Sequence, residues 1–176
     1  MMGKHLIKQH KFFYFQTRIF WNRSASMNDQ RQCELWESTL KVLSELCSEN
    51  EMSVYGLVYD AETLHILFST PDFNENILIL DWELRLKVKM SIKFDRPITC
   101  EPLSGLPDLK VILIDIYRSQ CEIYHNSIRW RHPFNSLKLI IEGHRQAKLF
   151  KDPLQVVFQP QVVFRIGKQA SNTHVF

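Results

Sequence analysis

The sequence predicts an α+β fold: an antiparallel sheet with helices packed on one face, followed by a β-prone C-terminal extension. Three observations predict it. Residues 55–70 read as two strands joined by a tight turn. Apolar spacing alternates between strand and helix periods, in the order strand, helix, hairpin, helix, short strand, helix. Finally, Gln155-Val-Val-Phe158 is repeated as Gln161-Val-Val-Phe164 across one Gln-Pro step, and both copies are β-prone.

The hairpin organises the rest. Val54 to Tyr59 is apolar, Asp60-Ala61-Glu62 is polar and short, and Thr63 to Ser69 is apolar again. Side chains alternate along a strand, so Leu64, Ile66 and Phe68 share one face and Thr63, His65, Leu67 and Ser69 the other. The first set points to the helices. His65 then falls on the open face, or under whichever helix crosses it. It reads either as a half-buried strand histidine with a hydrogen-bond partner or as a site residue.

Before the hairpin, residues 1–10 are a basic lead-in, and Phe12 to Phe20 has strand composition. Ser26 and Asp29 resemble a capping box for a helix over about 28–49, whose stripe of Leu35, Trp36, Thr39, Leu40, Leu43, Leu46 and Cys47 is core. After it, residues 76–94 fit a helix with Ile77, Leu80, Leu84 and Val88 on its apolar side. Arg85, Lys87, Lys89, Lys93 and Arg96 form a loose basic cluster, either a solvated helix face or a phosphate-contacting surface. A short strand follows near residues 98–101. Pro107 opens a helix that carries Leu109, Ile112, Leu113, Ile116, Gln120 and Ile123, with Tyr117, Cys121 and Tyr124 opposite. Residues 126–133 are an irregular basic-aromatic segment, and Phe134 to Glu142 is a short helix ending at Gly143. Pro160 confines the last stretch to a hairpin or one bent edge strand.

At 176 residues the chain suits one domain, over 1–148, with the extension at 149–176. Its 45 % hydrophobic content supplies a sizeable core, which argues against wholesale disorder. A net charge of +3 permits a nucleic-acid partner without arguing for one. Cys33, Cys47, Cys100 and Cys121 are too far apart for a Cys-x-x-Cys motif and read as reduced, buried thiols. The N-terminus has no apolar signal region, and no apolar run approaches the ~18 residues of a membrane span. The expectation is a soluble, cytoplasmic protein with no membrane partner.

Several stretches together resemble the single-tyrosine transposases of the HUH endonuclease superfamily, most closely the REP-associated tyrosine transposases. Asp60-Ala-Glu-Thr-Leu-His-Ile-Leu67 resembles that family's Met-Pro-Asn-His-hydrophobic-His-Leu-Leu; His65 falls on the second histidine and Thr63 stands where the first should be. Ile116-Tyr117-Arg-Ser-Gln-Cys121 is similar to the nucleophile motif, Tyr-Ile-x-x-Asn-Pro or Tyr-Ile-x-x-Gln, with Tyr117 in place. Cys121 replaces the polar ligand four residues on, and Gln120 lies one position early. Pro133-Phe-Asn-Ser-Leu-Lys-Leu-Ile-Ile-Glu-Gly143 looks like the Pro-Trp-Ser-Ser segment with Phe134 for the tryptophan, and Phe15-Gln-Thr-Arg-Ile-Phe-Trp-Asn-Arg23 resembles the opening strand. The resemblance covers about residues 12–143 and implies a ferredoxin-like, HUH-endonuclease-like sheet.

It also implies a chemistry. In the family, two histidines and an amide or carboxylate hold a divalent metal, and the tyrosine attacks a phosphodiester of single-stranded DNA to give a 5′-phosphotyrosine. Here the catalytic candidates are Tyr117 and His65, and the candidate ligands for magnesium or manganese are His65 and Gln120. Thr63 is a poor ligand, so impaired metal binding is expected; an inactive chain would need no cofactor. Tyr117 is either a nucleophile remnant or a half-exposed helix tyrosine. Arg18, Arg23, Arg129, Arg131 and Lys89 are candidates for gripping phosphates, and Trp130 for stacking on bases, as Trp21 and Phe134 would if they were not core.

Three readings follow. The first is a transposase-derived protein that binds single-stranded or hairpin DNA with impaired or absent nicking. The second is an active metal-dependent single-tyrosine transposase. The third is a non-enzymatic interaction module that forms a homodimer or holds a partner protein through its tail.

Overall fold

The computed structural model describes residues 10–21, 29–60, 63–71, 75–90, 92–94, 99–125 and 127–151. Residues 152–176 of the predicted 149–176 extension, Arg23, Ser26, Glu62 and Arg96 lie outside the described residues, and with them the capping box and the predicted tail strands; Phe150, placed in the extension, belongs to the core.

β1 (His10–Trp21) is the central strand, and α1 (Asp29–Glu49) follows it. β2 (Ser53–Asp60) and β3 (Thr63–Pro71) form the predicted hairpin, and α2 spans Glu75–Lys89. β4 (Ile92–Phe94) and β5 (Thr99–Leu103) come next. The sheet is antiparallel in the order β2-β3-β1, with β4 and β5 end to end along the free side of β1: β4 against Ile19–Trp21 and β5 against Phe12–Gln16. Pro102 removes a donor from β5, which an edge strand tolerates. The fold is therefore α+β, a ferredoxin-like sheet with helices packed on it as the sequence predicts, but on both faces rather than one, because a helix over Leu106–Gln120 crosses the face opposite α1 and α2.

Strand alternation divides the core in two. Phe13, Phe15 and Ile19 of β1 join Leu64, Ile66 and Phe68 of β3 under α1 and α2. The α1 stripe, from Leu35 and Trp36 to Leu46, is buried there as expected. The opposite face, which carries Leu67, is crossed by α3 (Leu106–Gln120), through Leu109, Leu113 and Tyr117. A β-bulge between Val54 and Gly56 shifts β2 so that Val58 packs beneath α3 while Leu57 packs beneath α1.

The α2 expectation fails in orientation. Ile77, Leu80, Leu84 and Val88 are exposed, whereas Leu78, Ile79, Trp82 and Leu86 face the core. Both stripes have helical spacing. Trp82 decides between them, because its ring packs on Phe15 at 5.1 Å and on Phe94 at 5.2 Å. β4, read in sequence as part of that helix, instead carries Phe94 to this cluster.

α3 also ends sooner than predicted. The chain turns after Gln120 into β6 (Cys121–Tyr124), which pairs with β7 (Ser127–Trp130); His125, in the turn between them, has φ 44°. Cys121 and Ile123 sit opposite Trp130 and Ile128, a period-two pattern that imitates helical spacing over so few residues. Asn135 caps α4 (Ser136–Ile141) by accepting from the Lys138 N–H at 2.7 Å. Gly143, at φ 66°, closes it: its N–H donates to Ile140 O and that of His144 to Leu139 O. After a 3-10 turn (Arg145–Leu149), the Lys151 N–H donates to Val54 O at the outer edge of β2. No helix among the described residues is long and apolar enough to cross a membrane.

Gly56 is what lets α3 lie so close to β2. A Cβ there would collide with Leu113 Cδ1, and Leu113 is fully enclosed. Gly56→Val should therefore lower stability by about 2–3 kcal/mol. Gly105→Ala, which meets only Pro107 Cδ at 3.6 Å, should stay within about 0.5 kcal/mol of the parent. Urea denaturation of the two variants checks this contrast.

Candidate functional site

Strand register lays out the face beneath and beside α3 in rows. Asp60, Thr63 and Arg18 are cross-strand neighbours at one end of the sheet. The next row is Val58, His65, Gln16 and Thr99, and the row after it Gly56, Leu67, Tyr14 and Glu101. α3 packs on the last of these. The polar ends of the first two rows are left at the surface: Arg18 and Thr99 are exposed, and Asp60, Thr63, His65 and Gln16 are half-buried.

His65 stands on this face with a defined partner. The Tyr14 hydroxyl is 2.7 Å from His65 Nδ1, and the two rings stack with centroids 6.0 Å apart. Burial lowers the His65 pKa, although Asp60 pulls the other way. Burial, and then Glu101, raises that of Tyr14. Both shifts favour the uncharged pair.

β7 delivers a second set of groups to the same end of the sheet. His132 Nε2 lies 3.0 Å from Asp60 Oδ1. The residues after it run along the outer edge of β2: the Tyr59 N–H donates to Phe134 O at 2.9 Å, and Asn135 bridges Val58. Neighbouring strands are ~4.8 Å apart, so Asp60 is about 10 Å from Arg18 across β3. Arg129 and Arg131 are exposed, and Arg131 Nε donates to Glu122 at 3.1 Å. Trp130 is half-buried against the α3 cluster. Phe134 is core, packed between Trp36 and Tyr59.

The sequence leaves Tyr117 as a nucleophile remnant or a half-exposed helix tyrosine, and it is not half-exposed. It is 2 % exposed, because Leu109, Leu113 and Tyr117 are spaced to face the sheet together. Its hydroxyl is 2.6 Å from Ser136 Oγ, which also accepts the Leu57 N–H at 2.9 Å. Lys89 Nζ is 3.2 Å from Glu45 on the far, α1–α2 side of the sheet, and Arg85 pairs there with Glu49 and Asp81. Arg85, Lys87 and Lys89 thus belong to ion pairs between and along helices, away from the Arg18 row.

The residues present do not suit the divalent metal that the resemblance implies. No three His, Cys, Asp or Glu side chains stand together as a metal cluster among the described residues. Thr63 offers only a neutral hydroxyl beside His65. Cys121 is enclosed, its thiol donates to Tyr117 O at 3.3 Å, and burial pushes its pKa up to about 11, so it is no thiolate. Gln120 is buried at the end of α3, with Nε2 3.3 Å from Ser119 Oγ.

Sequence reasoning missed Tyr14, Asp60, His132 and Ser136. Tyr14 was within reach of it, since pairing the predicted first strand with the hairpin brings Tyr14 to the face of His65. His132 and Ser136 meet β2 across more than 70 residues, and nothing local announces that contact.

No family model matches the chain, and no curated protein matches it. Among solved structures it is similar to that of a REP-associated tyrosine transposase bound to a REP hairpin. The TM-score is 0.52, with 11 % identity over 80 % of this chain and 82 % of the other. At that identity the likeness is one of fold.

Two outcomes follow from the geometry. Tyr117→Phe should lower stability by about 1 kcal/mol, through the lost Ser136 contact, in chemical denaturation. A histidine whose folded pKa is depressed contributes stability that is full above its unfolded value, near 6.5, and is lost as the pH falls. His65→Gln should therefore flatten the stability–pH curve below about pH 6.5.

Proposed function

We propose that this chain is a nucleic-acid-binding protein on a transposase-like fold, recognising single-stranded or hairpin DNA, with nicking activity impaired or absent. One observation carries the reading. The Asp60–His132 pair brings the Arg129-Trp130-Arg131 end of β7 to the same end of the sheet as Arg18, His65 and Tyr14. Exposed guanidinium groups suit phosphates, and half-buried aromatic rings bordering them suit unpaired bases. The similar solved structure is of a protein bound to a REP hairpin, which supports a hairpin as the first ligand to try.

Impaired chemistry has separate support. An attacking tyrosine must reach phosphorus with its oxygen free, and Tyr117 is enclosed with its hydroxyl held by Ser136. Thr63 and Cys121 stand where the resemblance requires ligands.

The test is a labelled single-stranded hairpin titrated with protein on native gels at increasing salt. Binding should weaken with salt by about 0.7 in log–log slope per phosphate contacted, and Arg18→Ala and Arg129→Ala should each make the slope shallower by about that amount. No affinity at low salt, or a flat dependence, overturns the proposal. With manganese added, a denaturing gel should show no covalent adduct. An adduct that Tyr117→Phe abolishes would instead establish an active transposase.

A further inference from the structure

α1, α4 and the 3-10 turn border a trough along the outer edge of β2. It consists of two grooves, of about 780 and 570 Å³, that share Glu37 and Gln146. The first reaches Cys47 and Leu149 at the Val54 end of β2, where Phe150 bridges Val54. The second reaches Pro133 and Phe134 at the Tyr59 end. Pro133 follows His132, which pairs with Asp60, so this end of the trough adjoins the candidate site.

The trough has an excess of positive charge. Lys41, Arg145 and Lys148 line the first groove and Lys138 the second. Lys151 follows at the Val54 end, where its N–H donates to Val54 O. None of these five side chains has an ion-pair partner among the described residues. The acids around them are engaged elsewhere. Glu45 holds Lys89 at 3.2 Å and Arg85 at 3.6 Å, Glu37 accepts from Gln146 at 3.1 Å, and Glu142 is 3.1 Å from His144. One unpaired surface lysine is ordinary, but five cations along one concave strip complement a polyanion.

We infer that the trough seats the phosphate backbone of the double-stranded stem of a hairpin; this rests on the function proposed above, in which the unpaired part lies at the Arg18 end. The trough offers nothing to unpaired bases. Its aromatic rings, Trp36 and Phe134, are 6 % and 9 % exposed and pack on each other at 5.9 Å, so no face is open for stacking. A duplex hides its bases in its own stack and presents phosphates. From Val54 to Tyr59 the edge of β2 runs ~17 Å, the rise of about five phosphates along one strand. Charge also decides against the chain's own residues 152–176, which carry Asp152 as their single acid beside Arg165 and Lys168.

Fluorescence anisotropy at rising salt tests this with two labelled DNAs. One is a hairpin whose stem is about one helical turn, ~34 Å, and the other has the same unpaired sequence with the stem removed. Lys41→Ala, Arg145→Ala and Lys148→Ala combined should make the log–log salt slope for the hairpin shallower by about 2–3, near 0.9 for each lost contact with a duplex phosphate. The same triple variant should bind the stemless strand as the wild type does, whereas Arg18→Ala should weaken both ligands. If the wild type binds both DNAs and the triple variant leaves the hairpin slope unchanged, the inference fails and the proposed function stands. Equal losses on hairpin and stemless strand also overturn it, because the trough would then not be reading the stem. A lowered urea midpoint in place of a changed slope would assign the trough to residues 152–176 and overturn it as well. A wild type that binds neither DNA at low salt sinks the inference together with the function it rests on.

Discussion

The described fold depends on a close approach between α3 and β2, and on the hydroxyl pair that spans it. Gly56 removes the side chain that would hold the helix off, and the β-bulge before it keeps the rest of β2 in register with β3. Into that space come Leu113 and Tyr117 from α3 and Ser136 from the start of α4. Ser136 Oγ receives the Leu57 N–H and contacts the Tyr117 hydroxyl, so one oxygen ties the edge strand to two helices. In a dry setting such bonds strengthen one another, and breaking one leaves the others exposed to the cost of unpaired polar groups. The segment between β7 and α4 seals the β2 edge at the same time, through Phe134 O and Asn135.

That arrangement decides what remains available at the surface. α3 covers the Gly56, Leu67 and Tyr14 row and stops short of the Asp60, Thr63 and Arg18 row. His65 stands half-buried in the row between, its Tyr14 partner lies in the row that α3 covers, and Arg18 is exposed at the open end. The electrostatics divide the molecule. On the α1–α2 side, Arg85, Lys87 and Lys89 are matched with Glu45, Glu49, Asp81 and Glu83. On the α3 side, Arg131 pairs with Glu122, which also stands opposite Arg129 in the β6–β7 ladder, and Arg18 is exposed at the end of the sheet.

Much of the fold could be read from the residues because the signals were local. The hairpin, α1 and the Gly143 stop each declare themselves within a dozen residues. The failures share a cause: two patterns competed within one segment. In α2 both stripes are helical, and only the aromatic cluster of Phe15, Trp82 and Phe94, assembled from distant strands, selects the buried one. After Gln120, a four-residue strand cannot be told by period from another helical turn. The site was less legible. His65 and Tyr117 were noticed as residues, but their partners Tyr14 and Ser136 come from pairings that local spacing does not encode.

Binding and chemistry place different demands on the same framework, which is why the proposed function separates them. Phosphate attraction falls off gently with distance, and long arginine side chains adjust to it, so a backbone shift of an ångström costs little affinity. Nucleophilic attack is intolerant of such a shift, since the reacting oxygen must be free, aligned and within about 3–3.5 Å of its target. Tyr117 meets the opposite requirement: its hydroxyl is enclosed, bonded and part of what fixes α3 to the sheet. To expose it, α3 would have to leave Gly56 and abandon the Leu109, Leu113 and Tyr117 packing at once. Enclosure of this tyrosine and stability of this domain are therefore one property.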